Sequence, residues 1–187
     1  MKKKREAVNY NRGEIIKELK ENQSIVVITK DINHKKMLLK FCKIAAKQFK
    51  NIIFVTITKP YNKIRAELES AGVNTSNYVF IDCISSRYNV EMKDSKNCVY
   101  VSSPEMLVDV SAAISRALRN QNALLLFDDI SSLAIYNENT NVLKFLQGTI
   151  IRLQKTNAKG IFLMLDDTKK KDMIENLSLF ADKVVNT

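Results

Sequence analysis

The residues best placed to do chemistry lie in the run Ala123-Leu124-Leu125-Leu126-Phe127-Asp128-Asp129. Apolar residues without a break from Ala123 to Phe127 cannot alternate faces, so the run reads as a strand covered on both sides, as in a parallel sheet. It stops at two carboxylates, and ligands of open parallel sheets sit at the C-terminal strand ends. A carboxylate in that place can hold the magnesium of a bound nucleotide, which makes Asp128 a candidate for cofactor binding and the Asp128–Asp129 pair a candidate for metal binding. Asp82 and Asp166-Asp167 end two further apolar runs, so all these carboxylates are expected along one sheet edge. Oxygen ligands suit a divalent cation, but strand-end aspartates also cap the turns after them. Capping, with no bound metal, is the expected role. His34, the single histidine, has no partner nucleophile or metal cluster in the sequence and reads as a loop residue.

A second constellation is electrostatic. Lys36, Lys40, Lys43, Lys47 and Lys50 fall within a narrow arc by the 100° step of a helix, opposite an apolar face of Leu38, Phe41, Ala45 and Phe49. Such a stripe can meet nucleic acid or an acidic protein surface; a solvated outer face is the plainer alternative. No aromatic residue interleaves with it, which argues against stacking on single-stranded bases. The formal net charge of +10 also favours acidic or polyanionic partners.

The elements that must position these groups can be read from periodicity. β-branched or continuous apolar runs predict strands at about 24–29, 52–57, 78–82, 98–101, 124–128 and 161–165. Helical spacing predicts helices over 13–22, 34–50, 60–72, 103–120 and 139–156, with a last helix end and short strand within 178–185. Residues Lys30 to Asn33 are expected to be a polar loop, and 84–96 another. Pro60 opens one helix and Gly72 closes it, while Ser103-Pro104-Glu105 reads as a helix start. Alternating strands and helices imply a three-layer α/β domain with a mostly parallel central sheet.

With 187 residues and no internal linker, residues 13–187 are expected to form one domain after a basic, disordered tail at 1–12. No apolar run approaches the length of a membrane span. Met1-Lys2-Lys3-Lys4-Arg5 is succeeded by polar residues, unlike a secretory signal. Cys42, Cys83 and Cys98 are odd in number and lack metal-site spacing, so they read as reduced thiols of a cytoplasmic protein.

The order of these pieces resembles the KaiC-like branch of the RecA superfamily of P-loop ATPases. Phe54-Val55-Thr56 precedes Lys59-Pro60, a helix, Gly72-Val73 and then Val79-Phe80-Ile81-Asp82. Leu126-Phe127-Asp128-Asp129-Ile130-Ser131-Ser132-Leu133 precedes a helix with Leu153-Gln154-Lys155, a strand after Gly160, and Ala181-Asp182-Lys183-Val184-Val185. The resemblance spans about residues 22–186. It implies a RecA-like fold with the 24–29 strand beside the 123–128 strand, and it aligns Lys35 with the phosphate-binding lysine.

Where the family's phosphate loop, G-x-x-x-x-G-K-[ST], belongs, this chain has Thr29-Lys30-Asp31-Ile32-Asn33-His34-Lys35-Lys36. Both glycines are gone, and Lys36 replaces the magnesium-binding hydroxyl. Residues other than glycine enter the conformations such a loop requires at roughly 1–2 kcal/mol each. Micromolar to millimolar binding supplies only about 4–8 kcal/mol in all. Thr58 and Lys59 stand where the family's paired acidic residues, one of them the catalytic base, belong. The expected reading is a regulatory or scaffolding pseudo-ATPase with a protein partner and no cofactor. One alternative is a weak ATPase holding ATP and magnesium through Lys35 and Asp128. The other is a nucleic-acid-associated protein using the lysine stripe.

Overall fold

In the computed structural model, residues 12–88, 92–119, 122–166 and 171–187 are described. The basic segment Lys2 to Arg5 and Asp167 lie outside them. The described residues form β1 (Ser24–Thr29), β2 (Ile52–Thr56), β3 (Tyr78–Asp82), β4 (Cys98–Tyr100), β5 (Leu124–Asp128), β6 (Lys159–Leu165) and β7 (Lys183–Asn186). Between them run α1 (Arg12–Glu18), α2 (Asp31–Gln48), α3 (Tyr61–Ser70), α4 (Ser85–Tyr88), α5 (Leu107–Ala117), α6 (Ile130–Tyr136), α7 (Asn139–Thr156) and α8 (Lys171–Leu177).

All seven strands make one sheet in the order β4-β3-β2-β5-β6-β1-β7, and every pairing is parallel. Parallel neighbours need crossovers, and the crossover helices cover both faces. One face packs Leu124, Leu126, Phe54 and Val27 against α1, α2 and α3; the other packs Leu125, Phe127, Val55 and Val26 against α5, α6, α7 and α8. This is a three-layer α/β fold, and its unbroken apolar strands are a consequence of burial on both sides.

Four expectations are corrected. The 24–29 strand is not beside the 123–128 strand, because β6 lies between β1 and β5 and pairs with both. Lys30–Asn33 is not a loop: α2 begins at Asp31, with only Lys30 between it and β1. The segment holds no glycine or proline to break a helix. The helix expected from Ser103 begins at Leu107, since the Ser103 hydroxyl instead accepts from Glu105 N at 3.2 Å in a local turn. Within 84–96, Ser85–Tyr88 is helical.

Candidate functional site at the end of the Asp128 strand

Strand alternation decides where the carboxylates point. Asp82, Thr56 and Asp128 are register partners across β3, β2 and β5. Asp128 has the parity of Leu124 and Leu126, so its side chain faces the α2 layer. There it meets His34 on the first turn of α2, whose Nε2 lies 2.6 Å from Asp128 Oδ1. The helix starts at β1, and its first turn reaches past the end of β6 to β5. The Asp128 side chain is 6% exposed and that of His34 is 16% exposed.

Asp129 closes the other side. It is the N-cap of α6, with Oδ1 accepting from Ser132 N at 2.7 Å and Oδ2 from the Ser132 hydroxyl at 2.9 Å. Burial lifts its carboxyl above the ordinary aspartate range, and the neighbouring Asp128 charge adds to that, against the lowering effect of the Ser132 bonds. The Ser131 hydroxyl accepts from Leu165 N at 2.9 Å, which pins the end of β6 beside the site. One donor atom each from His34, Asp128 and Asp129 lies within 4.8 Å of the others.

Asp82 behaves otherwise. Its oxygens accept from Tyr61 N at 2.7 Å, Ile84 N at 2.9 Å, Ser85 N at 2.8 Å and the Ser85 hydroxyl at 2.6 Å. It caps the turn after β3 and the start of α3, as a strand-end aspartate is expected to do. Asp166 is exposed, and its backbone N–H donates to Thr29 O.

Lys35 and Asp128, the two residues matched to a nucleotide site, are not brought together. One residue beyond His34, the Lys35 side chain leaves α2 in a different direction, and its Nζ lies 3.7 Å from Glu67 Oε2 on α3. Glu67 also accepts from Lys59 Nζ at 2.7 Å. That hydrogen bond, with the nearby positive charges, holds its carboxyl below the usual glutamate range. Lys59 is thus half of an ion pair. His34, expected as a loop residue, is helical and partners Asp128. The short helix α6 is not expected from periodicity; a capping aspartate three residues before Ser132 is the local signal that could have marked its start.

Magnesium-bound ATP does not fit these residues. A single residue, Lys30, separates β1 from α2, too little chain to wrap a phosphate with backbone N–H groups. His34 already occupies the approach to Asp128.

Lys36, Lys40, Lys43, Lys47 and Lys50 are solvent-facing, and none forms an ion pair among the described residues. Three of them, Lys36, Lys40 and Lys43, flank a groove of about 440 Å³ with Ile32, Leu39 and Ala71. Cys42, Cys83 and Cys98 are buried free thiols, and burial pushes Cys98 up to about 12.

Similar folds occur among solved structures. An uncharacterized protein, PH0321, from Pyrococcus horikoshii, in complex with an unknown peptide, superposes with a TM-score of 0.64 at 14% identity. The match covers 91% of this chain and 82% of that one. PH0250 from Pyrococcus horikoshii OT3 superposes with a TM-score of 0.63 at 14% identity, over 95% of this chain and 87% of that one. At such identity the likeness speaks for the fold alone. No curated protein matches the sequence. A family model does match residues 22–187, all seven strands included, and the chain accordingly belongs to DUF7090, a family of unknown function.

Proposed function

We propose that this protein is a non-catalytic, regulatory or scaffolding member of the KaiC-like, RecA-fold group, working through a protein partner in the cytoplasm. The observation that carries the reading is the junction of β1 and α2. A helix begins where a phosphate loop would be needed, and its His34 sits 2.6 Å from the carboxylate that would hold magnesium. Lys59, in the place of a catalytic base, is neutralised by Glu67. The exposed lysine stripe offers a surface for an acidic partner. The unknown peptide bound to the Pyrococcus horikoshii protein is in keeping with a peptide-binding use of this fold. No helix among the described residues is long and apolar enough to cross a membrane.

Calorimetry with ATP and magnesium, beside a hydrolysis assay, tests this. No binding heat and no turnover above buffer are expected. Turnover that disappears in Lys35→Ala and Asp128→Ala would instead establish a weak ATPase.

The stripe, without ion-pair partners among the described residues, favours a second reading, association with nucleic acid. Contact of all five lysines with duplex phosphates would give log affinity a slope of about −4 to −5 against log salt. Duplex binding that survives deletion of residues 1–12 and is lost when Lys40, Lys43 and Lys47 become Glu would support it.

A further inference from the structure

We propose that His34, Asp128 and Asp129 form a binding site for a single first-row transition-metal dication, occupied without any nucleotide. Three elements deliver the ligands: α2 supplies the imidazole, the end of β5 one carboxylate, and the cap of α6 the other.

Donor spacing is the first support. A tetrahedral ion about 2.1 Å from each donor sets the donors roughly 3.4 Å apart. The His34 Nε2 to Asp128 Oδ1 distance is 2.6 Å, and all three donors lie within 4.8 Å. Entry of the ion needs only sub-ångström to ångström side-chain adjustments. The metal takes the place of the hydrogen bond between Nε2 and Oδ1, and a proton on Nε2 leaves to solvent as the metal binds. Each Asp129 oxygen accepts one bond from Ser132 and keeps a second lone pair for a metal.

Charge is the second and independent support. Asp128 and Asp129 are each 4% exposed, and buried carboxylates require compensation. Among the described residues no lysine or arginine pairs with either; His34 is the one basic group in contact. Two carboxylates here face a single imidazole, so the cluster has more acidic groups than basic ones. A dication bound to neutral imidazole and two carboxylates brings the net charge to zero. Asp82 has no such deficit, because three N–H groups and a hydroxyl surround it.

Ligand type selects the ion. An imidazole nitrogen favours zinc, cobalt, nickel or copper over magnesium and calcium, which prefer oxygen alone. Phosphate groups contribute nothing, so the site does not depend on whether the protein is a pseudo-ATPase.

The untagged full-length chain, titrated with Co²⁺ in the absence of nucleotide, provides the test. We expect one equivalent to bind, with ligand-field absorption and one solvent-exchangeable, paramagnetically shifted imidazole N–H proton. The chain has a single histidine, so that resonance identifies His34 without any variant. Zn²⁺ should displace the cobalt and abolish the shift. Asp128→Asn and Asp129→Ala should each weaken binding by about tenfold or more, whereas Lys47→Ala should not. Absence of the shifted resonance would overturn the proposal, as would equal affinity in folded Asp128→Asn. Co²⁺ binding that appears only with ATP would overturn it and the pseudo-ATPase reading together; loss of the cobalt signal with no ATP binding overturns the metal site alone.

Discussion

At the end of β3, the Asp82 carboxylate is surrounded by four donors from the next residues of the chain and from the start of α3. At the end of β5, two strands away in register, Asp128 accepts from one imidazole brought in from α2. Both are apolar strands ending in aspartate, and both carboxylates are buried. The difference lies in the residues immediately after each aspartate. Beyond Asp82 the chain turns so that Ile84 N and Ser85 N point back at the carboxylate. Beyond Asp128 that capping task passes to Asp129, which takes the α6 cap through Ser132. The Asp128 carboxylate is left without local capping duties and open to a distant partner. A second aspartate is what separates a carboxylate held by its own local turn from one that meets a side chain from a distant helix.

Stability measurements should divide the two ends sharply. Asp82→Ala leaves three buried N–H groups and a hydroxyl without their acceptor. It should cost about 3–5 kcal/mol in chemical denaturation. A loss below about 1 kcal/mol would show that water replaces the carboxylate and that the contrast is false.

Asp129→Ala removes a helix cap, which costs about 1–2 kcal/mol. Part of that is offset because a buried, repelled charge is removed with it. Asp129→Asn keeps an acceptor for Ser132 and should recover most of the loss in the same denaturation series. A loss as large as that of Asp82→Ala would place Asp129 on the structural side of the comparison.

Asp128→Asn retains a hydrogen-bond acceptor for His34 and leaves no backbone donor stranded, so its effect should stay under about 1 kcal/mol. A fall of several kcal/mol would mean that the β5 end is as structural as the β3 end.

The smallest effect is expected at Glu67 on α3, which is half-buried between Lys59 and Lys35. Its carboxyl is lowered by the Lys59 hydrogen bond, so it contributes stability that is present above the unfolded-state value near about 4.3. That contribution disappears as pH falls through the lower folded-state value. Solvent screening keeps it below about 1 kcal/mol. Glu67→Gln should therefore match the parent under strong acid and fall slightly behind it at neutral pH. Equal stability at both would remove Glu67 from the electrostatics of this edge.

Much of this architecture is legible in the sequence because the determinants are local. Leu124 to Phe127 and Ile161 to Leu165 are too continuously apolar for any setting but a doubly covered strand. The helical spacing of Leu146, Ile150 and Leu153 marks α7, found at Asn139–Thr156. Asp82, Asp128, Asp129 and Asp166 could be placed at one edge because parallel strands share a direction. The pairing of strands is another matter. β6 lies between β1 and β5 through pairings of segments far apart in the chain, and neither strand's own residues encode that order. Likewise, Lys35 matches a phosphate-binding position, yet His34 meets Asp128. That outcome depends on where α2 begins and on the 100° rotation between neighbouring helical residues, which are settled when the helix packs on the sheet. Residue types set the strands, the helices and the carboxylates; the packing of α2 over β6 decided which side chain each carboxylate would face.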